Sequence, residues 1–229
     1  MSSAASPSPR SPGVQAAATL RPMVKADIPF VTEEHLKCFP ENVMGRLGRP
    51  FLRRYYATFL DTPYGVATLA ESEGRPCGFL VGILDTRAHR KLLLQRHVVP
   101  LAGTVLLGTL RHPRLAYRLF ARRLSLWFQR RCRGHHQTES QAGPKKVAVL
   151  SHVATVENRR GAGVGRALVT DFVQAAKATG ADRVSLATLD GANGAGPFYD
   201  RQGWLLKARR QTFDGRWIRL YDLELHDDA

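Results

Sequence analysis

Hydrophobic spacing along the 229-residue chain switches repeatedly between the two-residue period of strands and the 3.6-residue period of helices. Leu20 to Lys25 suits a short strand, and Asp27 is placed to cap a helix from about Ile28 through Lys37. After the glycine and proline punctuation of Gly45 to Pro50, PFLRRYYATFL puts Pro50 at a first helical position. The same run sets Phe51, Tyr55, Thr58 and Phe59 on one side of a second helix. Gly65 to Glu71 and Cys77 to Leu84 flank the turn-like SEGR and read as a hairpin of apolar strands. Arg87 to Arg133 is mostly helical in pattern, with breaks near Pro100 and Pro113. Val147 to Val156, VAVLSHVATV, is strongly β-branched and apolar, as a buried central strand requires.

The second half continues the alternation. Gly163 to about Thr179 carries Leu168, Phe172, Ala175 and Ala176 on one helical face, with Gly180 as C-cap. Arg183 to Leu189 is again a strand, and Pro197 to Arg201 is a short helix. Trp204 to Ala208 and Trp217 to Leu225 form a closing hairpin across FDG. No internal repeat interrupts this order. Residues 1–19, rich in Ser, Pro and Ala, read as a disordered leader ahead of one domain over 20–229. The longest apolar run, VVPLAGTVLLGTL, contains Pro100 and is shorter than the roughly 20 residues that span a bilayer.

Charge changes the picture in one place. The chain carries +15, and Arg87 to Lys146 holds fourteen Lys or Arg against one acid, Glu139. Nearly all the net charge therefore lies in a basic, mostly helical insert over 87–146, which directs attention to anionic partners. The cysteines Cys38, Cys77 and Cys132 are odd in number and lack C-x-x-C spacing, so they mark neither a disulfide framework nor a zinc site. His135 and His136 lack metal-ligand spacing and read as a solvated loop; no metal is expected. A reducing cytoplasm fits this usage.

The chemistry concentrates in RRGAGVGRAL, between the buried strand and its helix. A dinucleotide turn needs G-x-G-x-x-G/A, yet the sixth position is Arg166 counted from Gly161 and Leu168 counted from Gly163. A P-loop needs Gly-Lys-Ser/Thr, and no lysine follows these glycines. What remains is R-x-x-G-x-G at Arg160, Gly163 and Gly165. Unpaired N–H groups at a helix start suit a pyrophosphate, glycines permit close approach, and Arg159, Arg160 and Arg166 can add charge. The bland alternative is a glycine-rich helix start that holds no ligand.

Together with AGPFYDRQGW, this turn resembles the GNAT acetyltransferase superfamily. The glycine turn matches that family's acetyl-CoA signature, and Ala195, Phe198, Tyr199, Gly203 and Trp204 fill its later A-x-x-F-Y…G-F signature. The asparagine usually three residues before that alanine is replaced by Ala192, with Asn193 one step late. The resemblance covers 147–225 well and 20–86 in architecture alone; the insert lies outside it. It implies an α/β (α+β) fold with a mixed, splayed sheet of about six or seven strands flanked by helices. The basic insert would lie between the third and fourth strands.

Acetyl-CoA, as co-substrate, is then expected where the fourth and fifth strands part. The implied contacts are the backbone of Val153, Ala154 and Thr155, the turn Arg159, Arg160, Gly161, Ala162, Gly163, Val164, Gly165 and Arg166, then Asn193 and Phe198. An N–H on the fourth strand would polarise the thioester carbonyl. Tyr199 matches the family's usual acid, a phenol able to protonate the leaving thiolate. Phe198 itself reads as packing. Many relatives carry a carboxylate base on the fourth strand, which is absent here. His152 is the strand's one titratable group, able to take a proton directly or through water; Glu34, Glu41 and solvent remain alternatives. Tyr55, Tyr56 and Phe59 read mostly as helix packing.

The function so implied is acetyl transfer from acetyl-CoA to an amine by direct attack in a ternary complex. The acceptor would be a small molecule or an anionic one. The reading from a different class is a non-catalytic basic protein held on an anionic membrane surface or polyanion. Residues 87–133 would make that peripheral membrane contact. Arginines interleaved with leucines there form no recognisable nucleic-acid module, and no nucleic-acid partner is expected.

Overall fold

The structure, a computed structural model, describes residues 18–40, 42–96, 146–192, 194–212 and 214–225. Its centre is a seven-stranded sheet in the order β1-β2-β3-β4-β5-β7-β6. The strands are β1 (Thr19–Pro22), β2 (Gly65–Ser72), β3 (Arg75–Ile83), β4 (Val147–Thr155), β5 (Arg183–Leu189), β6 (Leu205–Gln211) and β7 (Trp217–Glu224). Only β4 and β5 run parallel; every other pairing is antiparallel. Glu73 and Gly74 close the β2–β3 hairpin with φ of 55° and 70°, the left-handed pair that a two-residue turn needs.

Six helices accompany the sheet among the described residues: α1 (Ile28–Cys38), α2 (Val43–Arg46), α3 (Arg49–Leu60), α4 (Thr86–Arg96), α5 (Val164–Ala178) and α6 (Gly196–Asp200). Asp27 precedes α1 as expected but does not cap it with its side chain. Its carboxylate instead accepts from the Val24 N–H at 2.8 Å and from both terminal nitrogens of Arg21, a charge-assisted pairing stronger than a neutral cap. α4 places a helix where the insert begins. Residues 97–145, with the insert's remaining calls and His135–His136, lie outside the described residues, as do 1–17.

The sheet separates two cores. On its front face, α1 and α3 pack Val31, Leu52, Tyr56 and Phe59 against Leu69, Phe79, Val81 and Ala154. On its back face, α5 buries Val164, Leu168, Val169, Phe172 and Ala176 against Ala70, Leu80, Ala148, Leu150, Val184 and Leu186. This stripe recurs every three to four residues, and burying each large side chain contributes about 1.5–3 kcal/mol. Phe172 fits because β3 offers Gly82 beneath it; a Cβ there would stand 2.3 Å from the ring. α5 ends where Gly180, at φ 68°, donates to Lys177 O while Ala181 donates to Ala176 O. That is a Schellman stop satisfying two terminal carbonyls.

Candidate active site

β4 pairs with β5 only from Val147 opposite Arg183 to Leu150 opposite Leu186. Beyond that point β4 continues along β3, with Thr155 opposite Gly78, while β5 continues along β7, with Leu189 opposite Ile218. A fork opens between Ser151–Thr155 and Ala187–Leu189. Along its β4 wall Val156 donates to Cys77 O at 2.9 Å. Antiparallel pairing turns alternate residues to the same edge, so Ala154 also faces β3. Val153 and Thr155 therefore present their N–H and C=O groups to the fork.

A β-bulge sits at the mouth of this fork. Val81 pairs with His152 and Gly82 with Leu150, leaving Ser151 as the extra residue. Ala148 and Leu150 point to the α5 core, and strict alternation would send position 152 there too. The bulge resets the phase, so His152 points with Ala154 to the front face. There the imidazole is surrounded by rings. His35 lies at 5.0 Å between centroids, Phe39 at 5.5 Å, Tyr55 at 5.7 Å and Tyr56 at 6.2 Å. Tyr55 Oη is 3.4 Å from His152 Nδ1. Desolvation, with His35 adding repulsion, pulls the His152 pKa down to about 3; desolvation alone pulls His35 down to about 4. Both rings are neutral at pH 7.

The glycine turn opens α5. Gly161 and Gly163 have φ of 81° and 83°, the left-handed region, with nothing within 4 Å of an added Cβ. Backbone conformation alone thus accounts for those two glycines. Gly165 differs: its φ is not left-handed, and a Cβ there would meet Thr155 Oγ1 at 3.6 Å and Phe198 Cζ at 3.7 Å, ordinary contacts. No described neighbour requires glycine at 165. Ala167 donates to Gly163 O at the first helical turn, and the N–H groups of Val164, Gly165 and Arg166 find no backbone acceptor among the described residues. Arg160 and Arg166 are exposed without carboxylate partners there, whereas Arg159 is tied to Glu73 at 3.4 Å. Arg160 Nη2 donates only to Cys38 Sγ, at 3.7 Å. Free N–H donors, an open cradle and two guanidiniums without carboxylate partners among the described residues fit a pyrophosphate.

Tyr199 sits on α6 in the back core. Its ring lies 5.0 Å from Phe198, 5.5 Å from Trp204 and 5.9 Å from Tyr221, and its hydroxyl hydrogen-bonds no other described residue. Burial raises its pKa well above the ordinary phenol value, keeping it protonated. The structure therefore gathers Val153, Thr155, Gly165 and Phe198 along one side of the fork. His152 belongs to the front face and Tyr199 to the back.

An open groove of about 520 Å³ runs from the fork end of β4 to the end of α1, with Glu34, Lys37 and Cys38 facing Glu157, Asn158 and Arg160. Glu34 is committed to Lys37 at 2.6 Å. Asn193 and Glu41 lie outside the described residues. Among the described residues, no group of three or more His, Cys, Asp or Glu side chains could hold a metal ion. No described helix is long and apolar enough to cross a membrane. Sequence reasoning passed over His35 and gave Tyr55 and Tyr56 to packing. The available signal was a histidine at a buried position of α1, four residues after Val31.

The acetyltransferase (GNAT) family matches residues 28–204. No curated protein matches the sequence. Similar solved structures include Arabidopsis thaliana NAA60 in complex with acetyl-CoA, at 13% identity and TM-score 0.58, covering 91% of this chain and 99% of that one. The ribosomal-protein-S18-alanine N-acetyltransferase of Escherichia coli aligns at 12% identity and TM-score 0.55, over 93% and 97%. Ard1 from Thermoplasma volcanium aligns at 15% identity and TM-score 0.56, over 93% and 100%.

Proposed function

The chain belongs to the acetyltransferase (GNAT) family, whose members use acetyl-CoA, and from that premise we propose that it acetylates an amine by direct attack within a ternary complex. The observation that carries this reading is the fork, which sets unpaired backbone groups of β4 between a neutral histidine in front and a protonated tyrosine behind. Bound acetyl-CoA supplies an activated acetyl thioester. The α5 N-terminus, Arg160 and Arg166 hold its pyrophosphate, and Phe198 lies against the same turn. Asn193 adds a secondary contact. Val153 or Thr155 N–H donates to the carbonyl oxygen as negative charge develops on it.

His152 takes the amine's proton, directly or through water. Its low basicity is no obstacle at that moment, because the nitrogen becomes far more acidic as it bonds to carbon. Tyr199 protonates the departing sulfur. Placing acid and base on opposite faces keeps the two proton transfers apart.

The acceptor carries anionic groups besides its amine, a reading supported by the chain's +15 charge. Contact of 87–133 with an anionic membrane would use the same charge. The free thiols Cys38 and Cys77 suit a reducing cytoplasm. The test is calorimetric titration with acetyl-CoA, followed by thiol release across peptide α-amines, polyamines, amino sugars and anionic amines. Initial-rate lines that intersect when both substrates are varied support direct attack. Parallel lines with an acetylated protein intermediate would overturn it.

A further inference from the structure

Two consecutive tyrosines of α3 each meet a histidine. Tyr56 Oη lies 2.7 Å from His35 Nδ1, with both side chains fully buried. Tyr55 Oη lies 3.4 Å from His152 Nδ1, with both residues half-buried at the mouth of the fork. The first pair is framework. The second stands beside the bulge, where β4 parts from β5.

We propose that Tyr55 and His152 act as one base, Tyr55 Oη receiving the acceptor amine's proton while its own hydroxyl proton passes to His152 Nδ1. The inference rests on the reading of His152 as the group that takes that proton. A phenol donates to an imidazole nitrogen more readily than an imidazole N–H donates to a phenol. With Nδ1 accepting, the neutral ring keeps its hydrogen on Nε2, so the basic nitrogen is the one Tyr55 covers. A proton reaches that nitrogen through Tyr55. Tyr55 is the one hydrogen-bond partner of the imidazole among the described residues.

The remaining groups around the pair leave it in charge of this step. From α1 come His35, held by Tyr56, and Glu34, held by Lys37; from α3 comes Tyr56. No unpaired carboxylate competes among them. The 3.4 Å separation is long, as such contacts often are before substrate closes the site.

The step balances. The amine N–H bond breaks as nitrogen bonds to the acetyl carbon, and the Tyr55 O–H bond breaks as His152 Nδ1–H forms. Tyr55 is restored with the amine's proton, and His152 becomes an imidazolium. The departing thiolate takes its proton from Tyr199, and solvent then receives the His152 proton and reprotonates Tyr199. The aromatic nest and His35 disfavour the charged ring, which speeds that reset.

Long-range proton–nitrogen NMR on the full chain with acetyl-CoA bound decides the tautomer without any acceptor. His152 is expected as the Nε2–H form in the wild type and as a mixture in Tyr55→Phe. An Nδ1–H form in the wild type, or an unchanged tautomer in Tyr55→Phe, overturns the proposal. Kinetics use a tripeptide amide with one free α-amine, read as thiol released. Tyr55→Phe and His152→Gln should each lower kcat about a hundredfold with KM nearly unchanged, and the double variant should fall no further. A slow His152→Gln beside a normal Tyr55→Phe would overturn the relay and leave His152 as the base. Full rates in both, with chemistry limiting, would overturn the base reading as well.

Discussion

The two halves of β4 adjoin in the chain and follow different rules. Val147–Leu150 is bonded to β5 along its length and to β3 as well at Val149 and Leu150, and it sends Ala148 and Leu150 into the α5 core. Ser151–Thr155 is bonded on one edge, begins with a bulge and turns its imidazole to the opposite face. One strand is thus scaffold along its first half and a working surface along its second, and a single extra residue marks the change. Burial of an apolar strand on both faces leaves no room for a ligand. Releasing one edge supplies backbone donors without unfolding anything.

The sharpest way to break this contrast is to delete Ser151. Val81 would still pair with His152 and Gly82 with Leu150, now in regular register, so side chains keep their faces. Stability should change little. The straightened strand should close the fork, and kcat/KM should fall about a thousandfold, roughly 4 kcal/mol in transition-state binding. Thermal unfolding beside thiol-release kinetics checks both halves. An active deletion variant would mean that the bulge does not make the site.

Acid exposes the working half next. The unfolded chain protonates His35 and His152 near pH 6.5, whereas the folded protein protonates them at about 4 and about 3. Between these limits the unfolded state binds more protons, so the stability present above pH 6.5 is lost as pH falls. For His35 alone the loss nears about 3 kcal/mol by pH 4.5. Urea unfolding at pH 7.5 and 4.5 should show a smaller difference for His35→Gln than for wild type. Equal differences would mean that the nest does not exclude charge.

Across the fork, Tyr199→Phe should lower kcat about a hundredfold while acetyl-CoA affinity stays within twofold. The hydroxyl bonds no other described residue, so its loss should cost the fold little. Unchanged turnover with chemistry limiting would return Tyr199 to a packing role beside Trp204 and Tyr221.

Much of this was legible in the chain because period and punctuation are local. β5 falls at Arg183–Leu189 as read, and α5 begins within a residue of its expected start. His152 stood out in the chain as the one titratable group of an otherwise apolar strand. Which face His152 takes was not legible, since alternation points the wrong way and the bulge depends on β3. Tyr55 was hidden for a related reason: helical spacing places it among Phe51 and Phe59, and only the fold brings β4 to its hydroxyl. Arg159 read as part of the anion site, yet the tip of the β2–β3 hairpin supplies Glu73, a partner 86 residues away in the chain.

The glycine turn gives the smallest and cleanest test, because its three glycines separate by cause. At Gly161 and Gly163 any side chain meets a left-handed backbone, so loss of cofactor binding there would not distinguish strain from a blocked ligand. Gly165→Ala avoids that difficulty. The position is helical, an added Cβ meets only ordinary contacts, and alanine in a helix is favoured over glycine by up to about 1 kcal/mol. The variant should therefore be as stable as wild type or slightly more so. If the backbone at 165 lies against the pyrophosphate, the methyl group should weaken acetyl-CoA binding about tenfold, or about 1.4 kcal/mol. Calorimetry and thermal unfolding on the same samples would show stability and affinity moving in opposite directions. Unchanged affinity would mean that no ligand approaches this residue, and the N-terminus of α5 would then lose its place in the site.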